Sequence, residues 1–396
     1  MMKSAGLALA AGFFLLMGSV TPSLAGDYED LKAEMRMLKA RMVEMEAKLE
    51  QYERRDREMP AHDGHEGHDH GQDIGFDIEI GHQHHHMDIH NIQVHGGLDL
   101  RWLSTEDTEQ KLFLHEAELG VSAALAEWMD ALVTFTKHHG EEVEIEQAYG
   151  KLKFEEIQSV VKAGKFFVNF GPENRVGFFE RRTVTPSAMR EGFFGEENWA
   201  DEGVEASVKL PVEFDSVVTV AALNGNNAIT FGDGSDTVDN NNMVAAVNLH
   251  NAFQTDVGGL TLGASYAGGK WDTNDDYDVN LYGIDAGWKC GNWEFQGEYM
   301  FREKDASTGG DVEGDGFYVF GAHTWPLEWK YLKDVEFLLA YGESDPDEIS
   351  KEKRYSPQLS FGLTENAKIR LLYEFRKESP ADTDNDRFIA QFGYHF

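Results

Sequence analysis

The feature that most constrains this chain is an alternation of apolar and polar residues with period two, running from His90 to the C-terminal Phe396. Successive side chains of a β-strand point to opposite faces, so this pattern gives each strand one apolar and one polar side. In the last segment Phe388, Ala390, Phe392, Tyr394 and Phe396 share one face, and Arg387, Gln391, Gly393 and His395 the other. Ile369, Leu371, Tyr373 and Phe375 alternate in the same way with Lys368, Arg370, Glu374 and Arg376. Trp293, Phe295, Gly297, Tyr299 and Phe301 do so with Glu294, Gln296, Glu298 and Arg302, while Ile92, Val94, Gly96, Leu98, Leu100 and Trp102 keep one register. The segments are ~10 residues long, enough to cross a bilayer as tilted strands. Aromatics crowd both strand ends, for which a soluble sandwich has no need. Lipid offers no partner for an unpaired sheet edge, so the strands must close on themselves. Counting gives sixteen of them. The expected fold is an all-β membrane protein, a 16-stranded antiparallel transmembrane β-barrel over residues 90–396, wide enough to enclose water.

Connection lengths support this reading, because outer-membrane barrels have short periplasmic turns and long external loops. Numbered from the first strand, the odd gaps are mostly long: residues 171–201, 225–241, 268–277, 303–313, 344–353 and 377–385. The even gaps are mostly short, such as Ala126-Glu127, Cys290-Gly291 and Thr364-Glu365-Asn366. The first external loops are short exceptions, and Pro326 to Lys333 reads as a long turn. An even strand number returns both barrel ends to the periplasm.

Three segments precede the barrel. Residues 1–25 carry Lys3, an apolar run from Leu7 to Met17 and the small residues Ser23 and Ala25, the layout of a cleaved export signal. In residues 26–59, Tyr28, Leu31, Met35, Leu38, Met42, Met45, Leu49 and Tyr52 repeat in a 3,4 spacing, an a/d seam. No second heptad helix exists in the chain, so the seam predicts an α-helical coiled-coil stalk that pairs with copies of itself; a single amphipathic helix packed on its own barrel is the alternative. Pro60 ends the helix, and residues 60–89 form a His/Asp/Gly-rich flexible linker. Residues 61–95 hold ten of the sixteen histidines. Among them His62, His65, His68, His70, His82, His84, His85 and His86 lie interleaved with Asp63, Glu66, Asp69, Asp73, Asp77 and Asp88. Neutral imidazole with carboxylates is a ligand set for Zn²⁺ and its neighbours, and the glycines favour weak, exchangeable sites over one fixed tetrahedron. No cofactor is required on this reading. The alternative is a solvated linker whose histidines meet metal incidentally.

The longest loop, Gly171 to Asp201, sits after an early strand, where it can fold into the lumen. Its acids Glu173, Glu180, Glu191, Glu196 and Glu197 oppose Arg175, Arg181, Arg182 and Arg190. Opposed rings of charge are how pores select, so Glu173, Arg175, Glu180, Arg181, Arg182 and Arg190 are the expected constriction residues. A loop merely packed by its own salt bridges is the alternative. The remaining external loops are acidic, with Asp233, Asp236, Asp239, Asp272, Asp275, Asp276 and Asp278, and predict a vestibule that gathers cations. The run from Asp272 to Asp278 lacks the rest of a Ca²⁺ loop and reads as solvated. Net charge of −36 excludes nucleic acid as a partner, and the single Cys290 excludes a disulfide framework or a cysteine zinc site. No nucleophile elbow, zinc-protease helix or phosphate loop is present, so the chain does not read as an enzyme.

The terminal Tyr394-His395-Phe396 resembles the last strand by which the barrel assembly machinery of Gram-negative bacteria recognises its clients. The stretches His115 to Gly120, Val143 to Gly150 and Ala163 to Gly171 resemble the phosphate-selective porin O and P type and the siderophore porins. Phe170-Gly171, Asn174 and the run from Gly195 to Val204 are similar to an uncharacterised group labelled zinc-regulated outer-membrane receptors. The resemblance implies a homotrimer in outer-membrane lipid with the stalk in the periplasm. The expected activity is passive, charge-biased diffusion of small hydrophilic solutes, with a link to divalent metals such as zinc that rests on the histidine tract. An anion-selective or metal-chelate porin is the second reading, although such anion porins line their lumen with arginine and lysine and this chain is strongly acidic.

Overall fold

The computed structural model describes residues 74–80, 83–105, 110–195, 197–225, 243–270, 278–305, 311–346, 351–380 and 385–396, with side chains from residue 92 onward except Phe178. The export signal, the coiled-coil segment and His62, His65, His68, His70 and His82 lie outside the described residues. Strand β1 (Ile74–Ile80) pairs with the start of β2 (Gln83–Thr105), so part of the stretch expected as a flexible linker is a backbone hairpin. His84, His85 and His86 belong to this hairpin, and their side chains are not described.

Sixteen strands close the barrel: β2, β3 (Lys111–Ala126), β4 (Met129–His138), β5 (Val143–Phe154), β6 (Ser159–Phe167), β7 (Ala200–Lys209), β8 (Asp215–Leu223), β9 (Val244–Thr255), β10 (Gly258–Lys270), β11 (Asp278–Cys290), β12 (Trp293–Asp305), β13 (Asp311–Trp329), β14 (Leu332–Asp345), β15 (Lys351–Gly362), β16 (Ala367–Ser379) and β17 (Arg387–His395). All neighbours are antiparallel, and β17 closes on β2 from Arg387 opposite Thr105 to His395 opposite Gly97. Phe396 finishes the seam by exchanging backbone hydrogen bonds with Gly96 at 3.1 and 2.9 Å.

The expected faces are those observed. Ile92, Val94, Leu98 and Leu100 point outward, as do Trp293, Phe295, Tyr299, Phe392 and Tyr394. Polar residues between them, among them Asp99, Arg101, Glu298, Glu374 and Gln391, are buried on the inner face. Aromatics form rows at both ends of this outer surface. Tyr266 stacks beside Tyr282 and Tyr282 beside Phe301 near the long-loop end, while Trp128, Trp293, Trp325, Trp329 and Tyr331 stand exposed near the short turns. Such girdles mark the two lipid–water boundaries of a transmembrane barrel. One connection departs from expectation: β13 runs through Pro326 to Trp329, leaving only Lys330 and Tyr331 between strands. Proline cannot donate to a ladder, and the pairing absorbs it with a register shift between Pro326 and Trp329.

Candidate functional site

The segment joining β6 to β7 folds into the barrel. It begins at Gly171, whose φ of 62° is left-handed and whose missing Cβ leaves room for the Glu298 carboxylate. A short helix α1 (Gly171–Arg175), one tight turn and helix α2 (Ala188–Phe194) follow. The neck is closed by backbone and amide bonds: the Val168 N–H donates to the Trp199 carbonyl at 2.9 Å. The Asn174 amide donates to the Val168 carbonyl at 2.8 Å and accepts the Trp199 N–H at 2.6 Å. Ser187 caps α2 by accepting the Arg190 N–H at 3.1 Å, and its own hydroxyl and N–H donate to Glu173 at 2.6 and 2.8 Å.

Opposite sides of the segment meet the barrel in opposite ways. On one side Phe170, Met189, Phe193 and Trp199 are buried in one cluster with inward-facing Leu223, Val244, Leu281, Met300 and Leu338. On the other, the stretch before α2 is bonded to a charged wall. Arg101 donates to the Val184 carbonyl at 2.8 Å, Gln358 accepts the Val184 N–H at 3.0 Å, and Arg354 donates to the Pro186 carbonyl at 3.0 Å. Glu191 of α2 bridges Arg354 at 2.8 Å and Arg376 at 3.4 Å. Beneath them Glu374 pairs with Arg387 and accepts the Thr185 hydroxyl. The segment therefore spans the lumen from wall to wall.

This arrangement sorts the six expected constriction residues. Arg175 and Glu180 face a cavity of about 550 Å³ lined also by Glu118, Thr134, Gln147 and Lys162 of β3 to β6. Glu180, Arg181 and Arg182 line a second cavity of about 180 Å³ against β12 to β15. Arg182 bonds Glu336 at 2.7 Å and also Glu294, both on the wall. Its carboxylate partners hold the guanidinium above its ordinary range, outweighing the burial that opposes them. Glu173 lines the same cavity and, nearly buried, accepts from Ser187. Arg181 is nearly buried and Arg190 fully so, and both donate to the Asn198 side-chain oxygen. Burial, with Arg181 adding repulsion, pushes Arg190 down to about 9. Arg190 is thus a packing residue of the segment, not a lining one: it has no accessible surface, and α2 turns it onto Asn198. Glu191 and Arg182 pair with the wall rather than within the segment, so the charges expected to face each other instead fasten the segment to the barrel.

Two groups escaped the sequence reading. The apolar lumen face shows as places where alternation lapses into near-continuous apolar runs, such as Val217 to Leu223 and Phe317 to Phe320. His138, Glu141, Glu144 and Glu197 converge, their nearest ligand atoms within 4.8 Å of one another, although they come from two segments distant in sequence.

No protein-family model matches the chain, and no curated protein matches it. Solved structures do. An anion-selective porin from Comamonas acidovorans superposes with a TM-score of 0.57 at 12% identity, over 77% of this chain and 99% of that one. The outer membrane channel DcaP of Acinetobacter baumannii gives 0.53 at 12% identity over 77% and 97%. OmpT, an outer membrane protein of Vibrio cholerae in its trimer form, gives 0.52 at 11% identity over 77% and 99%. At such identity the likeness is one of fold: a closed antiparallel barrel of the kind found in outer-membrane porins.

Proposed function

We propose that this chain is an outer-membrane porin, a passage for passive diffusion of small hydrophilic solutes rather than an enzyme. One observation carries the reading: a segment that crosses the lumen leaves beside it a polar cavity of about 550 Å³, lined from the wall by Glu118, Gln147 and Lys162 and from the segment by Arg175 and Glu180. Charge on both sides of a narrow gap filters solutes by sign. The heptad of residues 28–52 supports a trimer with a periplasmic stalk, and the histidine tract supports a link to zinc. The tract's contribution is tested by deleting residues 61–89: slower growth under zinc limitation supports it, and unchanged growth removes it.

A second reading, anion or chelate passage, is favoured by the placement of Arg101, Arg354, Arg370, Arg376 and Arg387 on the inner face of four adjacent strands, β15 to β17 and β2. Conductance of the purified protein in planar bilayers under a KCl gradient separates the two. A cation-biased reversal potential that Zn²⁺ alters supports the first reading, and an anion bias moves the solute to phosphate-like anions or anionic chelates. Absence of conductance rejects a porin.

A further inference from the structure

The hairpin between β4 and β5 and the returning end of the inward segment place four ligand groups together. His138 ends β4, Glu141 lies in the turn, Glu144 begins β5, and Glu197 precedes the Asn198 and Trp199 that close the neck. His138 Nε2 stands 3.8 Å from Glu144 and 3.7 Å from Glu197. A tetrahedral ion with ligands at ~2.0–2.2 Å needs neighbouring ligand atoms roughly 3.3–3.6 Å apart; the two histidine pairs lie just outside that range, and the whole set, within 4.8 Å, closes by about an ångström of movement of exposed glutamate side chains.

A second, independent observation lies on the other side of the imidazole. Glu116, whose side chain is 1% exposed, places Oε2 3.9 Å from His138 Nδ1, and its Oε1 has no hydrogen-bond partner among the described residues. A buried carboxylate behind the second ring nitrogen is the arrangement that orients a metal-bound histidine: a small turn of the imidazole closes the 3.9 Å approach to a hydrogen bond that keeps the proton on Nδ1 and leaves Nε2 to ligate.

We propose that His138, Glu141, Glu144 and Glu197 form a binding site for a divalent transition ion of the zinc class, with Glu116 as the positioning residue. Imidazole selects against Mg²⁺ and Ca²⁺, which prefer oxygen alone. Three anionic ligands and one neutral ligand leave a bound dication with a net charge of about −1, which the exposed rim tolerates. Occupancy ties the end of the inward segment to the hairpin. The site is separate from the histidine tract and does not depend on whether the barrel conducts.

The test is Zn²⁺ titration of the full chain in detergent, by calorimetry, together with zinc-edge anomalous diffraction from crystals soaked in Zn²⁺ alone. Wild type should bind one more Zn²⁺ per chain than the double variant E144Q/E197Q, whose substitutions are exposed and leave the tract intact. The anomalous peak should lie beside His138 Nε2 and vanish in that variant. E116Q keeps all four ligands and should weaken this site 10–100-fold, as loss of a partner behind a metal-bound histidine does. Equal stoichiometry in wild type and double variant, or no peak beside His138 once the tract is saturated, overturns the site. Unchanged affinity in E116Q overturns the role given to Glu116.

Discussion

The two walls that hold the inward segment differ in kind. Toward β8 to β14 the contact is mainly apolar, built on Phe193, Met189, Leu281 and Leu338, all essentially inaccessible, with Arg182 paired to Glu294 and Glu336 at its edge. Toward β15 to β17 and β2 it is ionic, built on Arg354, Arg376, Glu191 and Glu374. Apolar burial is non-directional and indifferent to salt, so it fixes the segment to one wall without specifying its height. Charged and hydrogen-bonded contacts are directional and specify register. A segment that had only the first would slide; one that had only the second would loosen in salt. The passage is left where neither contact reaches, beside β3 to β6.

Breaking the apolar side should have the largest effect. Phe193→Asp places an unpaired charge in a fully buried cluster at a cost of several kcal/mol, releases the segment and should raise single-channel conductance clearly above wild type. Phe193→Ala should lower stability by ~3–5 kcal/mol, read as the midpoint of the heat-induced gel-mobility shift.

On the charged side, Arg354→Met removes a guanidinium that is 2% exposed, leaves Glu374 to Arg387 and Glu191 and Glu352 to Arg376, and withdraws the donor from the Pro186 carbonyl, costing ~1–3 kcal/mol by the same assay. The buried carbonyl left without that donor, and not the lost attraction, supplies most of that. Gly97→Ala sharpens the comparison at the seam, where the Phe179 ring lies 2.5 Å from the position of an added Cβ. Overpacking there should cost ~1–3 kcal/mol and shift the rim of the cavity that Phe179 lines. Arg182→Gln should do least to stability, under about 1 kcal/mol, because the guanidinium is a third exposed and solvent screens its pairs with Glu294 and Glu336. It should still move the reversal potential toward cations, since two wall carboxylates lose their partner.

Strand number, facing and closure were legible because every strand carries its own two-sided pattern, as in Phe388 to Phe396. The inward segment was legible as a long loop after an early strand, and its resemblance residues Asn174, Asn198 and Trp199 prove to be the bonds of its neck. What each charge meets was not legible. Arg182 meets Glu336 across 154 positions and Arg354 meets Glu191 across 163, pairings that only barrel closure creates. The His138 cluster was hidden for the same reason, since Glu197 joins the hairpin only after the segment turns back.

The most direct test is thiol access in a Cys290→Ser background. Gln147→Cys sits on the cavity wall and Ala246→Cys within the apolar cluster. A charged methanethiosulfonate reagent added during bilayer recording should reduce the current through Gln147→Cys and leave Ala246→Cys unchanged. Current lost at Ala246→Cys with none lost at Gln147→Cys would contradict the division of the lumen described above.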